Sequence, residues 1–315
     1  MKEKILILML ILALLTPVTA QEKPLVVTSL PPLASIIKEA LGDSVDVIYL
    51  VPPGVEPHQY QLSPDQIKLL KRAAVIVTTG HLPAEMKIVE LKKEGEIPGV
   101  VLTIEDYRKY GFHYLPERWY TGKNNPHGIW LDPVNALAMA EATANALNLH
   151  PRSLDEFKLK LKAIMDAYAG VLNGTKAVIE LPSQQYALEW LGAEVISSIK
   201  PEAEVPAKSV DELSSVKADI VVYDQGTPET LKNAAFKLSE RLGVPVANVT
   251  VLWVDKPYTQ VLTENAKSII GVLTKEKKVV IRETSYGYQY SILALIIGLV
   301  VGISVGVVLR RCPVL

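Results

Sequence analysis

Two of the chain's five histidines sit in stiff polar loops, where a side chain is costly to order unless it has a task. His58 lies in Val51-Pro-Pro-Gly-Val-Glu-Pro-His-Gln-Tyr60, and His127 in Asn124-Asn-Pro-His-Gly-Ile-Trp-Leu-Asp-Pro133. Proline restricts the backbone and glycine permits tight turns, so both imidazoles are held with little freedom. Neither gains core packing in such a loop, and coordination of a divalent metal is one compensation that suits a neutral imidazole. Asp224, in Tyr223-Asp-Gln-Gly-Thr227, offers an oxygen donor at the end of an apolar run. The single cysteine, Cys312, excludes a thiolate metal cluster and a disulfide scaffold. No His-Glu-x-x-His, Gly-x-Ser-x-Gly or Walker loop occurs. A metal-dependent hydrolase using the same histidines and aspartate is an alternative, as is an adhesin or partner-binding surface that holds no metal.

The elements that must position these residues follow an α/β rhythm. Short β-branched runs at 25–28, 45–49, 75–79 and 100–103 alternate with helical patterns at 32–41, 64–72 and 84–93, and an alanine-rich helix is expected at 133–147. The rhythm resumes with strands at 177–180, 194–197, 220–223 and 249–253 and helices at 184–191, 227–242 and 257–273. Such alternation predicts parallel sheets covered by helices on both faces. His58 then stands just after a strand, at the mouth of a sheet. Residues 105–126 hold six aromatics without a clean period and read as a long surface loop. Between the halves, Phe157, Leu161, Ile164, Met165, Tyr168 and Leu172 keep helical spacing, with Ser153 and Glu156 as a capping box. The fold class is therefore α/β, two lobes with parallel sheets joined by one long rigid helix.

The ends carry the apolar excess. Lys2 and Lys4 precede an unbroken apolar run and then small residues up to Ala20, the pattern of an export signal. Residues 291–309 hold no charge and precede Arg310 and Arg311, which predicts a transmembrane helix with the arginines on the cytoplasmic side. The expected organisation is a signal peptide at 1–20, a first lobe at 21–150, a linking helix at 151–173 and a second lobe at 174–274. A stalk at 275–290, a span at 291–309 and a cytoplasmic tail at 310–315 complete it. The expected location is the cell membrane, single-pass, with a monomeric extracytoplasmic domain. The chain's formal net charge is −1, and setting aside the leader (+1) and the two tail arginines leaves the outer part at −4. Without a basic excess to neutralise phosphates, no nucleic-acid partner is expected.

Taken in order, several motifs resemble those of the metal-binding receptors of zinc and manganese ABC importers, the cluster A-I solute-binding proteins. They are Val26-Val-Thr-Ser-Leu-Pro-Pro-Leu-Ala-Ser-Ile-Ile37, the two Pro-His loops, Ser63-Pro-Asp65, Trp130-Leu-Asp-Pro133 and Tyr258-Thr-Gln-Val-Leu-Thr-Glu-Asn265. The resemblance spans about residues 24–273 and implies two α/β lobes linked by a long helix, with the metal between them. It implies that His58 and His127 are the first-lobe ligands, that the third ligand falls at Glu180 and the fourth at Asp255. Asp224 remains a rival to these carboxylates. His81, in Thr78-Thr-Gly-His81-Leu, follows a strand at a place that could face the cleft, but is left out because the family position is not a consistent ligand. His113 and His150 read as surface or cap residues. Two imidazoles and two carboxylates suit Zn2+ or Mn2+ as transported ligand, with Zn2+ placed ahead. The implied partner is an ABC transporter permease, and no catalysis is implied.

Overall fold

The computed structural model describes residues 22–201 and 205–277, with side chains to residue 274. The first half contains β1 (Leu25–Thr28), α1 (Pro31–Leu41), β2 (Asp46–Tyr49), α2 (Pro64–Leu70), β3 (Val75–Val77), α3 (Pro83–Lys93), β4 (Val100–Leu102), α4 (Ile104–Arg108) and α5 (Pro133–Ala146). Helix α6 (Arg152–Tyr168) leads to the second half. There follow β5 (Lys176–Ile179), α7 (Gln185–Glu189), β6 (Glu194–Ser198), α8 (Val210–Leu213), β7 (Ile220–Asp224), α9 (Glu229–Leu242), β8 (Val246–Val249) and α10 (Tyr258–Lys277).

Both halves build the same four-stranded parallel sheet, in the orders β2-β1-β3-β4 and β6-β5-β7-β8. In each, the chain goes to one side of the opening strand and then returns to the other. That reversal leaves a crevice beyond the carboxyl ends of the central strands, where loops from both sides meet. Strand residues alternate between faces, as a period of two requires. Val26, Val75, Val77, Ala177, Ile179, Ile220 and Val222 enter one core that runs continuously through both halves. Val27 and Ile76 pack on the other face of the first sheet, and Val178 and Val221 on the other face of the second.

The continuous core also takes in Phe157 and Leu161 of α6, both fully buried, so the connecting helix is packed between neighbours along one stripe. The described residues up to Leu273 accordingly form one compact unit. Helix α6 is about 25 Å long at 1.5 Å per residue. It begins after Pro151 with no side-chain cap, because Ser153 already lies inside the first turn and the expected box does not form. It ends at Tyr168, where Ala169 turns to an extended ψ of 130° and Gly170 follows with a φ of 74°. Asp132 caps α5 as its position suggests, accepting from the N–H groups of Val134 (2.8 Å) and Asn135 (3.1 Å).

After α4 the segment 105–126 is loop and turn, as expected, with most residues exposed or half-buried, but it is pinned to the core at a few points. It opens within α4, and Tyr107 is fully buried, its hydroxyl donating to the carbonyl of Thr78 at 3.0 Å. The aromatics that obscured its period are what tie it to the core. Among the described residues, no helix is long and apolar enough to cross a membrane. The expected signal peptide at 1–20, the span at 291–309 and the tail at 310–315 lie outside the described residues. The start of the expected stalk, residues 275–277, continues α10.

Candidate metal centre

The loops after β2 and β3 and the long segment between α4 and α5 bring three histidines together. His58 follows β2 in a short 3-10 turn, Pro57–Gln59, whose start is fixed by Glu56 accepting from the His58 N–H at 3.3 Å. Farther along, Gln66 Nε2 anchors the loop by donating to the Leu50 carbonyl (2.8 Å) and the Tyr60 hydroxyl (2.6 Å). His81 follows β3, with Thr79 Oγ1 2.9 Å from its Nδ1. His127 follows the buried Asn125, whose Oδ1 accepts from the His127 N–H at 2.9 Å and lies 3.1 Å from Nδ1.

The ring centroids stand 5.6 Å apart for His58 and His81, 5.4 Å for His58 and His127, and 5.0 Å for His81 and His127. One ligand atom from each ring lies within 4.8 Å of the other two. Two nitrogens on one tetrahedral zinc are about 3.4 Å apart, since the metal–nitrogen bond is about 2.0–2.1 Å. A side-chain adjustment on the order of 1 Å would therefore close the three rings on a cation. Burial, and next the adjacent His58, lower the pKa of His81 to about 4. Its imidazole is neutral at neutral pH, the state a metal requires.

Asn125 also ties this centre to the second half. Its Nδ2 donates to the Pro182 carbonyl (2.9 Å) and to Gln185 Oε1 (2.9 Å), and the Tyr186 hydroxyl donates to its carbonyl (2.7 Å). Next to His127, Gly128 has a φ of 71°, and a Cβ there would stand 1.9 Å from the Ser183 carbonyl oxygen. Only glycine lets the backbone of the second half approach this closely.

Three carboxylates named from the sequence occupy other positions, and none belongs to the three-histidine group. Glu180 follows β5 and is fully buried. Its Oε2 accepts from the Asp224 N–H (2.9 Å) and Gln184 Nε2 (3.2 Å), and its Oε1 from the Thr227 hydroxyl (2.7 Å). Burial raises the pKa of Glu180, and burial likewise raises that of Asp224. Asp224 ends β7 and accepts from the Gly226 N–H at 3.0 Å. Asp255, exposed and at a φ of 55°, lines a groove of about 1000 Å³ with residues of α1, α6 and α10, and no histidine lines that groove.

His81, set aside as a ligand on the family resemblance, joins His58 and His127 here. Its flanks, Thr-Thr-Gly before and Leu-Pro after, lack the doubled prolines of the His58 loop. The signal lay in topology: strand order places the loops after β2 and β3 on either side of β1, so histidines in both can meet across it.

Two parallel sheets, packed on one core and carrying three imidazoles at a carboxyl edge, define an α/β protein with a candidate metal centre. The chain belongs to the ZnuA family, described as zinc-uptake complex component A, periplasmic, whose model matches residues 26–272. It is 25% identical over 276 residues to the zinc-binding lipoprotein AdcA of Streptococcus pneumoniae, covering 80% of this chain but 54% of that protein. The chain thus spans about half the length of that relative. It is 24% identical over 230 residues to the manganese ABC transporter substrate-binding lipoprotein PsaA of the same species, covering 70% of this chain and 71% of PsaA. In fold it is similar to the solute-binding protein FpvC from Pseudomonas aeruginosa in complex with Mn2+. The TM-score is 0.64 at 17% identity, over 81% of this chain and 100% of FpvC.

These relatives correct the expected location. AdcA and PsaA are named as lipoproteins, which stands against the expected single-pass location; among the described residues, which do not include 291–309, no helix is long and apolar enough to cross a membrane. The relatives' names describe metal-binding and transport components, not enzymes.

Proposed function

We propose that this protein captures a divalent transition metal outside the cytoplasm and delivers it to an ABC transporter permease, with Zn2+ preferred over Mn2+. The observation that carries the reading is the convergence of His58, His81 and His127, each with a ligand nitrogen within reach of one cation. Imidazole suits Zn2+, Ni2+ and Cu2+, whereas Mn2+ is better served by carboxylate and water oxygens. A third imidazole therefore weights the site toward zinc beyond the N2O2 set inferred from the sequence. Family membership and the names of AdcA and PsaA support transport as the use of such a site.

Three protein nitrogens leave a tetrahedral ion one position open. We assign that position to an oxygen donor, a water or a carboxylate of the second half. Glu180 and Asp224 are the nearest in chemistry, since each stands at the carboxyl edge of the second sheet. An ion held by exchangeable groups at a loop edge can be released, which a cargo site requires and a structural site does not. The metal is the transported ligand, and no step of catalysis is assigned to the chain.

The test is a competition titration of the purified protein against a chromophoric chelator. One Zn2+ per chain is expected, bound more tightly than Mn2+, and His58→Ala or His127→Ala should each weaken zinc by at least about 100-fold. Unchanged zinc affinity in both variants would remove the basis of the proposal.

A further inference from the structure

We infer that Thr79 and the buried Glu85 are positioning residues that hold His81 with its Nε2 toward the cation, and that through His81 they favour nitrogen-preferring ions. This rests on the metal capture proposed above. Glu85 is the third residue of α3 and is fully buried. Its Oε1 accepts from the Thr79 N–H at 2.6 Å, and its Oε2 from the N–H groups of His81 (3.0 Å) and Leu82 (3.1 Å). At a helix start an N3 glutamate commonly reaches back to the N-cap N–H, and the bond from Leu82 is of that kind. The amides of Thr79 and His81 lie before the helix, so here the same carboxylate also folds the histidine loop around itself.

The side chains extend the arrangement. Thr79 Oγ1 is 3.0 and 2.8 Å from the two Glu85 oxygens and 2.9 Å from His81 Nδ1. A carboxylate only accepts, and a threonine hydroxyl has one proton. That proton goes to Glu85, which leaves the hydroxyl oxygen to accept from Nδ1–H of His81. A neutral imidazole with its proton on Nδ1 carries its lone pair on Nε2. The chain Glu85, Thr79, His81 thus does for this ring what a carboxylate or carbonyl commonly does behind a metal-bound histidine: it sets the tautomer and the ring orientation. Asn125 Oδ1 has the corresponding place behind His127, but as a single group rather than a relay.

Two substitutions separate positioning from packing. Thr79→Val keeps the shape and removes the hydroxyl; Thr79→Ser keeps the hydroxyl and removes a methyl. In the full chain, Thr79→Val should lower Zn2+ affinity about 10- to 100-fold, the range for loss of a group behind a ligand, and lower Mn2+ affinity less. Thr79→Ser should restore most of the zinc affinity. Nitrogen NMR of the metal-free protein should find His81 protonated at Nδ1 in the wild type and in Thr79→Ser, and a mixture of tautomers in Thr79→Val. The inference is overturned if Thr79→Val binds zinc as the wild type does while His81→Ala is weakened. It is equally overturned if Thr79→Ser is as weak as Thr79→Val, or if wild-type His81 carries its proton on Nε2. A wild type that binds no zinc would defeat the transport reading instead, and the NMR result would still decide the relay.

Discussion

His81 and His113 should titrate on opposite sides of the ordinary histidine value. Burial, then the neighbouring His58, bring His81 down to about 4, while the hydrogen bond to Asp132 raises His113. Between about pH 6.5 and 4 the unfolded chain takes up a proton that folded His81 refuses, so its contribution lowers stability as the pH falls through that window. For His113 the sign is reversed: its contribution is present below about 6.5 and is lost as the pH rises through its raised value. Proton NMR titration of the metal-free protein should show His81 neutral at pH 5 and His113 protonating above 6.5. A His81 that titrates near 6.5 would contradict the buried, crowded setting described above. At this scale the sequence was legible where chemistry left a mark on neighbours. Prolines before His58 and before His127 made those loops stand out. His81 has no such mark, and its supporting carboxylate, Glu85, reads as an ordinary helix-start residue until the fold brings Thr79 against it.

Among the elements, the contact between the His127 loop and the start of α7 is the tightest constraint on the site. Gly128→Ala would force an L-residue into a positive φ and drive a methyl into the Ser183 carbonyl. A loss of on the order of 2 kcal/mol in unfolding free energy is expected, with weakened zinc binding because His127 moves with its neighbour. Chemical denaturation of both proteins, with and without zinc, would measure each effect; a variant as stable as the wild type would show that the two halves do not meet as described. Phe157→Ala on α6 should cost about 3–5 kcal/mol, since the ring is fully buried and lies 6.0 Å from that of Tyr258. Most elements could be placed from periodicity alone, because the strands are short apolar runs between proline-started helices. The last strand could not. Apolar residues continue to Trp253, but pairing stops at Val249, where Asn265 of α10 takes over both backbone groups of Thr250, accepting from its N–H at 2.8 Å and donating to its carbonyl at 3.0 Å. A partner 15 positions away in the chain has no local signature.

For the molecule as a whole, the continuous core predicts one cooperative unfolding event for residues up to Leu273, not separate melting of two lobes. Zinc at about 1,000 times its dissociation constant should add about 4 kcal/mol to that transition, and calorimetry showing two resolved steps in the metal-free protein would count against the shared core. The repeated α/β rhythm made both sheets readable, and the family motifs made the family readable. What the linear pattern did not reveal is that three imidazoles meet at one sheet edge, while the second-half carboxylates Glu180 and Asp224 are engaged by their own surroundings. X-ray absorption at the zinc edge of the loaded protein reads that distribution of ligands. Three imidazole nitrogens at about 2.0 Å are expected, falling to two in His81→Ala. A wild-type spectrum with only two imidazoles, unchanged by that substitution, would contradict the three-histidine site.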